Sequence, residues 1–243
     1  MIKVKNCKKS FEQESVLKGV NLHIEKGSVY GLLGANGTGK TTLLNILAGI
    51  YTADEGEILI DDTSVYENVK TKKKIVYIPD SLYFFGRRTL KELAKYYKYM
   101  YGKFDNDLYI QLIKVFELNE KKQLASFSKG MKKQAVFIVS ICTQPEVFLM
   151  DELIDGVDPI KRRLVWSVLM KEVALRNMTV VIASHNIKEL EGVCNEIGII
   201  HNGVCALQVN VEEIREEQNS SLEEFVIEQM GGITDEVKEY LNQ

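Results

Sequence analysis

A glycine-rich segment between an apolar run and a helical stretch constrains the fold of this chain more than any other feature. Residues 34–41 read GANGTGKT and match the pattern GxxxxGK[ST] at every specified position. The apolar run 28–33 precedes them, and the helical stretch TTLLNILAGI follows from residue 41. Strand, glycine loop and helix in this order predict the start of an α/β fold and a site for nucleotide phosphates. The plain alternative is a glycine-rich turn that caps an ordinary helix.

The residue types in this segment suit phosphate binding. Glycines let the backbone turn and present its N–H groups to phosphate oxygens, and the following helix adds the positive end of its dipole. We expect Lys40 to reach the β- and γ-phosphates and the Thr41 hydroxyl to ligate Mg²⁺. The motif alone is compatible with a kinase, a GTPase, an ATPase or a helicase. The predicted nucleotide-contacting residues are Gly34, Asn36, Gly37, Thr38, Gly39, Lys40, Thr41 and Thr42.

Two further apolar runs end in residues suited to phosphate chemistry. The run 147–150 is followed by Asp151 and Glu152, and the run 179–184 is followed by His185. Ligands gather at the carboxyl ends of parallel strands, so we expect Asp151 to hold Mg²⁺ directly or through water. Because adjacent strand residues point to opposite faces, Glu152 should point elsewhere and act as general base, worth ~10²–10⁴ in rate. Two solvated acids at a strand end are the alternative.

Charge and hydropathy patterns exclude several classes of protein. The 243 residues include 31 basic and 34 acidic side chains, a formal net charge of −3, whereas nucleic-acid binders usually have a strong basic excess. No uncharged apolar run reaches the ~18 residues of a membrane span, and the N-terminus lacks the apolar segment of a signal peptide. The four cysteines are widely spaced, which indicates a reducing cytosolic compartment.

The periodicity of apolar residues predicts how the chain is organised. The pattern in the first part of the chain predicts short strands and turns. Helical spacing follows over 86–145, and the strand pattern returns afterwards. We predict one α/β domain with a core from 1–85 and 146–210 and an inserted helical subdomain at 86–145. Residues 211–243 carry ten acidic and two basic side chains and are predicted to form accessory helices.

Residues 128–134, SKGMKKQ, complete a set of motifs that resembles the nucleotide-binding subunit of an ABC transporter. The order of the motifs matches that family from Phe11 to about Phe225, and the signature resembles a bacterial subgroup of stand-alone ATPase subunits. The resemblance implies a P-loop NTPase core with a mostly parallel sheet, an N-terminal antiparallel β region and a helical subdomain. ATP and Mg²⁺ are the implied cofactors.

The resemblance also implies roles for individual residues. Phe11 matches the aromatic residue that stacks on adenine, Glu152 the catalytic base, and His185 the residue that senses the γ-phosphate. Asp80 stands where the family usually carries glutamine and is a candidate metal ligand; the alternative is that it caps a turn. The loop that crosses the dimer interface corresponds to Gly156 and Asp158. The implied contacts to ATP bound by the other subunit are Ser128, Lys129, Gly130 and Met131.

The signature also has a physical interpretation. Ser128 is a good N-cap for a helix that continues through QAVFIVSIC. Lys129, Lys132 and Lys133 crowd the N-terminus of that helix, where positive charge opposes the dipole, and a bound anion would relieve the conflict. A solvated lysine face is the alternative. Lys129 and Met131 depart from the usual signature, whose corresponding residues are glycine and glutamine.

The helical subdomain is rich in aromatic residues, with nine between residues 83 and 109. An amphipathic helix needs one apolar stripe, which accounts for about half of them. Aromatic residues are enriched at interface cores, and the resemblance implies that this subdomain receives a short helix of the membrane subunit. We expect Tyr83, Phe84 and Phe85 to line that groove.

The leading hypothesis is an ATP-hydrolysing subunit that powers transport, with export favoured, through a permease on a separate chain. Two such subunits would sandwich ATP as a homodimer or as a heterodimer with a related subunit, at the cytoplasmic face of the cell membrane and without nucleic acid. The alternatives are a soluble ABC-type ATPase that acts on DNA or ribosomes, and a regulatory module without turnover. Within the tail, Ser221 and Glu224 predict a capping box, with Phe225 and Ile227 as packing residues.

Overall fold

The chain begins with a β-hairpin and then alternates strands with helices. The structure, a computed structural model, describes residues 1–84, 87–218 and 221–229. In chain order the elements are β1 (Ile2–Phe11), β2 (Glu14–Ile24), β3 (Val29–Leu33), α1 (Lys40–Leu47), β4 (Glu55–Ile60), β5 (Thr63–Ser64), α2 (Val69–Lys72), β6 (Ile75–Ile78), α3 (Leu90–Tyr101), α4 (Asn106–Val115), α5 (Lys129–Ile141), β7 (Val147–Asp151), α6 (Pro159–Arg176), β8 (Thr179–Ser184), α7 (Ile187–Glu191), β9 (Glu196–His201), β10 (Val204–Asn210), α8 (Val211–Gln218) and α9 (Leu222–Gln229).

A six-stranded, mostly parallel sheet forms the centre of the fold, in the order β10-β9-β3-β8-β7-β6. Every residue of β3, β7 and β8 is buried, as expected where both faces of a parallel sheet are covered. In the register of the sheet, Leu33 pairs with Ser184 and Asp151 pairs with Ala183. The carboxyl ends of these three strands therefore lie side by side, and the segments that follow them meet at one edge.

A four-stranded antiparallel sheet, in the order β2-β1-β4-β5, packs beside the central sheet. The strands β1 and β2 have 10 and 11 residues, so the prediction of short strands in this region was wrong. Pairing of β1 with both β2 and β4 stabilises the longer strands. One hydrophobic cluster joins this sheet, α1 and one face of the central sheet. The predicted α/β class, with a parallel core, an antiparallel β region and helices, is confirmed.

The helices α3, α4 and α5, called the helical lobe below, lie between β6 and β7 in the sequence. The lobe packs around α5, which contacts both α3 and α4. A second hydrophobic cluster continues from the other face of the central sheet through α5 into the lobe. Thr89 and Glu92 form a capping box at the start of α3. The helix α5 therefore packs against both the sheet and the rest of the lobe.

The first part of the acidic tail is helical. The Ser221 N–H donates to Glu224 Oε2 at 2.9 Å and the Glu224 N–H donates to Ser221 Oγ at 3.2 Å, which confirms the predicted capping box. Leu222 is buried and Phe225 packs against the core, as expected for Phe225. The side chain of Ile227 and residues 230–243 lie outside the described residues. In the part of the chain that the structure describes, no helix is long and apolar enough to cross a membrane.

Asp105 links the start of α4 to the end of α6 and to the turn that follows α5. Its carboxylate caps α4 by accepting the Leu108 N–H at 2.9 Å, and it lies 3.3 Å from both the Arg176 guanidinium and the Gln144 amide. The Leu108 hydrogen bond, against a smaller effect of burial, lowers the pKa of the Asp105 carboxyl, and Gln144 and Arg176 lower it further. The ionised carboxylate therefore stabilises the folded chain.

We expect Asp105→Ala to lower the free energy of unfolding by about 1 kcal/mol at pH 7 through loss of the cap. Because the folded-state pKa is depressed, this contribution is present above the unfolded value of about 3.9 and is lost as the pH falls through the folded-state pKa. Urea titrations across that range measure it. Asp107→Ala, at an exposed carboxylate in the same helix, is the control; an equal, pH-independent loss in both variants would contradict the assignment.

Candidate nucleotide-binding site

The glycine loop adopts the backbone that the sequence motif requires. Gly37 and Gly39 have φ of +82° and +104°, values that residues with a side chain rarely adopt. A Cβ atom at Gly34 would lie 2.5 Å from the carbonyl oxygen of Ile200, so glycine is needed there for a close approach to β9. The helix α1 begins at Lys40, directly after the loop. The loop therefore presents its backbone at a helix N-terminus, the arrangement that binds phosphate.

Lys40 is folded back into the loop. It is 6% exposed, and its ammonium donates to the carbonyl oxygens of Gly34 at 2.6 Å and Ala35 at 3.0 Å. Burial lowers the pKa of Lys40, and the negative charges of Glu152 and Asp151 oppose that shift. The lysine thus occupies the centre of the loop as a cation whose present partners are neutral carbonyls, and phosphate oxygens would be stronger partners.

Thr41 and Asp151 meet across the edge of the sheet. The Thr41 hydroxyl donates to Asp151 Oδ2 at 2.7 Å, while Asp151 Oδ1 is buried and accepts no hydrogen bond from the described residues. Burial raises the pKa of Asp151, with the Thr41 hydrogen bond as a partial offset and the charges of Glu152 and Asp80 as additions. A buried carboxylate oxygen with no partner, next to a hydroxyl, suits a cation that prefers oxygen ligands, such as Mg²⁺.

The described residues hold no group of three or more His, Cys, Asp or Glu side chains placed to bind a metal ion by themselves. A magnesium ion at Thr41 and Asp151 would therefore need phosphate oxygens and water to complete its ligands. Such sharing with a nucleotide is usual for this ion.

A cavity of about 490 Å³ lies between the glycine loop and these carboxylates. It includes several predicted residues, with Asp80 among them. It also includes Glu14 and Val16, which the sequence patterns did not identify, because they come from the β-hairpin and no local motif marks them. The lining residues are Glu14, Val16, Asn36, Gly37, Gly39, Lys40, Thr41, Thr42, Asp80, Asp151 and Glu152.

Glu152 and His185 lie in direct contact. The distances from His185 Nδ1 to Glu152 Oε1 and Oε2 are 3.0 and 3.1 Å. The expectation that strand alternation aims Glu152 away from Asp151 was wrong, since both line the same cavity. The physical reason is that β7 ends at Asp151 and Glu152 has a left-handed backbone with φ of +46°, so the alternation rule no longer applies. Strained backbone of this kind is concentrated at functional sites.

The signature segment begins α5 as predicted. Ser128 caps the helix by accepting the Met131 N–H at 3.2 Å, which confirms its N-cap role. A Cβ atom at Gly130 would lie 2.9 Å from the carbonyl oxygen of Gly156, so the signature and the loop around Gly156 touch within one chain. No signature residue is among the described residues that line the phosphate cavity. The predicted contact of Ser128, Lys129, Gly130 and Met131 with the other subunit's ATP stays a prediction.

The three lysines near this helix start have different environments. Lys129 Nζ lies 3.6 Å from Asp155 on the surface, and Lys132 is partly buried. Lys133 is 1% exposed and pairs with Asp80 at 3.0 Å. Lys133 fits neither of the two interpretations of the sequence, a solvated lysine face or a group of lysines that binds an anion, because its side chain points into the protein.

Phe11 and Asp158 each have a local role in the chain. Phe11 is 39% exposed, makes an edge contact with Tyr51, and pairs across the hairpin with Glu14, a residue of the phosphate cavity. Asp158 caps α6 by accepting the N–H groups of Ile160 and Lys161 at 3.1 and 3.0 Å. Adenine stacking on Phe11 and a dimer contact at Asp158 stay predictions.

We expect Asp151→Asn to raise the melting temperature of the nucleotide-free chain at pH 7. The raised pKa of Asp151 means that the folded state disfavours the ionised form, so the carboxylate destabilises the fold above its unfolded pKa, and amidation removes that cost. A change of 1 kcal/mol corresponds to roughly 2–4 °C for a chain of this size. Differential scanning calorimetry measures the shift, with the exposed Asp62→Asn as control; a lower melting temperature for Asp151→Asn would contradict it.

Comparisons with known proteins agree with this geometry. The sequence model of the ABC transporter family matches residues 17–155. The chain is 36% identical to the ABC transporter ATP-binding protein YtrB of Bacillus subtilis (strain 168), over 89% of this chain and 74% of the relative. It is 31% identical to the linearmycin resistance ATP-binding protein LnrL of the same organism, over 84% of this chain and 67% of the relative.

Solved structures with low sequence identity share the fold. The ATP-binding subunit of an ABC transporter superposes with a TM-score of 0.87 at 23% identity, over 95% of this chain and 99% of that chain. A dimeric ATP-binding cassette in a post-hydrolysis state, bound to ADP and Pi, superposes with a TM-score of 0.76 at 22% identity, over 87% of this chain and 99% of that chain. With its phosphate loop, its Asp151 and Glu152 pair and its family match, the chain belongs to the ABC transporter family, as one of the nucleotide-binding ATPase subunits.

Proposed function

We propose that this subunit hydrolyses ATP to drive export of a substrate through a permease on a separate chain. The observation that carries the proposal is that Lys40, Thr41, Asp151 and Glu152 line one cavity, with His185 in contact with Glu152. The relatives support export: one is a linearmycin resistance ATP-binding protein, and another is a bacitracin transport ATP-binding protein of Enterococcus faecalis. The alternative, a soluble ATPase that acts on DNA or ribosomes, gains no support from these relatives.

The residues of the loop bind and orient the nucleotide. Lys40 exchanges its carbonyl partners for the β- and γ-phosphates, and the glycine loop donates backbone N–H groups to them. Thr41 and Asp151, with Asp80 as a further residue of the cavity, would hold Mg²⁺, which when bound would neutralise the charge of the phosphates. Phe11 stacks on the adenine. The proposal is supported by the position of these residues, which line the cavity or lie on the adjoining hairpin.

Glu152 and His185 act on the water that attacks the γ-phosphate. Glu152 accepts a proton from that water as general base. His185 holds the Glu152 carboxylate by its Nδ1 atom, and its exposed ring lies free to contact the γ-phosphate through the other nitrogen. Removal of either group leaves nucleotide binding by the loop in place and slows hydrolysis.

A second subunit completes the site. Ser128, Lys129, Gly130 and Met131 contact the ATP held by the partner, and the loop with Gly156 and Asp158 crosses the interface. Identical chains or a related subunit would both satisfy this arrangement. In the proposed two-subunit arrangement, the signature moves with the helical subdomain. The proposed divisions of the chain are a core (1–85 and 146–210), this helical subdomain (86–145) and a tail (211–243).

The permease docks on an apolar cavity between the core and the helical lobe. This cavity, of about 450 Å³, is lined by side chains of α2, β6 and α3, and Tyr96 and Met100 at its rim are about half exposed. Tyr83 and Phe84, which the sequence led us to expect in the docking groove, do not line this cavity: Tyr83 is exposed and Phe84 packs against the core. Phe85 lies outside the described residues. Docking there places the subunit at the cytoplasmic face of the membrane. The lining residues are Ala48, Ile50, Val69, Lys72, Lys73, Ile75, Tyr77, Tyr96, Tyr97, Met100 and Tyr101.

Glu152→Gln tests the catalytic assignment. The amide keeps the size of the side chain and cannot accept the proton, so we expect ATP hydrolysis to fall by about 10²-fold or more and an ATP-bound dimer to accumulate. Phosphate release and size-exclusion chromatography with ATP measure these effects. Glu146→Gln, at a surface carboxylate paired with Lys74, is the control. Undiminished hydrolysis in Glu152→Gln would show that Glu152 is not the general base.

Tyr96→Asp with Met100→Asp tests the docking cavity. Two charges on an apolar contact surface must be desolvated on binding, so we expect the permease to be lost from co-purification with the tagged subunit and transport to stop. Because neither residue lines the phosphate cavity, ATP hydrolysis by the purified subunit should persist. Tyr99→Asp, at an exposed tyrosine of the same helix, is the control. Normal recovery of the permease with the double variant would contradict this docking surface.

A further inference from the structure

A buried lysine lies behind the catalytic carboxylate. Lys133, in the second turn of α5, is 1% exposed, and its ammonium donates to the backbone carbonyl oxygen of Glu152 at 2.5 Å and to Asp80 Oδ1 at 3.0 Å. Burial of an ammonium group costs free energy that a single ion pair seldom recovers in full. An apolar side chain would fill this position of a buried helix at lower cost. The contacts of the Lys133 ammonium with Glu152 and Asp80 therefore suggest a functional reason for its burial.

The backbone of Glu152 is fixed on both sides. Its N–H donates to the carbonyl oxygen of Ala183 in β8 at 3.0 Å, and its C=O accepts hydrogen bonds from the Lys133 ammonium and, at 3.2 Å, from the Asp155 N–H. Held by these contacts, the residue has its left-handed φ of +46°, a conformation that surrounding contacts must impose on a residue with a side chain. The side chain then reaches His185. The lysine is one of the contacts that set where the Glu152 carboxylate points.

Asp80 connects the same ammonium to the phosphate cavity. The residue follows β6, lines the phosphate cavity, and also lines a neighbouring cavity of about 320 Å³ with Ser81, Leu82 and the three lysines of the signature region. Its carboxylate is 45% exposed, so water reaches the side away from Lys133. The ion pair forms part of the wall between the two cavities and links the loop after β6 to α5.

We propose that Lys133 is a positioning residue for ATP hydrolysis, which holds the Glu152 backbone in place and ties it to Asp80 and to the helix that begins at Ser128. The inference rests on the proposed function, because it takes Glu152 as the base. Lys133 lies five residues after Ser128 on one rigid, buried helix, so a displacement of the signature carries the ammonium with it. The geometry of the base then depends on the position of the signature helix.

Lys133→Met tests this role. Methionine has a similar length and no charge, so α5 should stay packed and the melting temperature should be unchanged or higher. We expect kcat to fall roughly 10–100-fold, the scale of a misplaced catalytic group, while the KM for ATP changes less than about twofold, since Lys133 does not line the phosphate cavity. Lys133→Arg, which keeps a charged donor, should recover part of kcat.

Two further variants separate positioning from general damage. Lys91→Met replaces a surface lysine of the same lobe, paired with Glu120, and should leave kcat unchanged. Asp80→Asn removes both a proposed Mg²⁺ ligand and the partner of Lys133, so it should lower kcat in both backgrounds, but by a smaller factor with Lys133→Met, in which the ion pair is already lost. A loss of kcat in Lys133→Met that is matched by a lower melting temperature and is not recovered by arginine would overturn the proposal.

The result also separates this inference from the proposed function. If Glu152→Gln abolishes hydrolysis and Lys133→Met retains the wild-type kcat, the role of Lys133 is wrong and the ATPase assignment stands. If the wild-type chain itself shows no hydrolysis, or Glu152→Gln remains active, the assignment of the base fails first. A kcat loss in Lys133→Met with intact stability and ATP affinity supports the positioning role.

Discussion

The hydrogen bond from Thr41 to Asp151 is the contact on which the site depends. It joins the start of α1, directly after the glycine loop, to the end of β7, although β8 lies between β3 and β7 in the sheet. The parallel register makes the bond feasible, because it aligns the carboxyl ends of the three strands at one edge. A slip of one residue would turn the side chains of β7 to the opposite face of the sheet and would move Asp151 away from the loop.

The site contains several buried charges that contribute little to the stability of the fold. Lys40, Asp151 and Lys133 are all nearly buried, and burial shifts the pKa of Lys40 down and that of Asp151 up, each toward its neutral form. Buried charge is weak support for a fold and is typical of sites that exchange stability for activity. Phosphates and a cation would supply partners of opposite charge for Lys40 and Asp151, so the nucleotide should stabilise the subunit by linkage.

Local patterns predicted the parts of the structure that local chemistry determines. The glycine loop, the caps at Ser128 and Ser221, and the position of Asp151 depend on a few consecutive residues and were readable in the sequence. The direction of Glu152 was not, because the alternation rule assumes that a strand continues, and the backbone turns left-handed there. The partner of Asp80 was also hidden, since Lys133 lies 53 residues away in sequence and only the packing of α5 against the sheet brings the two together.

The short strand β6 connects the phosphate cavity with the apolar cavity that we propose as the docking surface. Ile75 and Tyr77 of β6 line the apolar cavity beside α3, and Asp80 follows the strand and lies at the phosphate cavity on the Lys133 ammonium. Burial and the negative charge of Asp151 raise the pKa of the Tyr77 hydroxyl, so this side chain also lies near the carboxylate that we propose as a metal ligand. The strand β6 is at the edge of the central sheet and pairs with β7 along its length. A force on the apolar cavity would therefore act through β6 on Asp80 and, through Lys133, on Glu152.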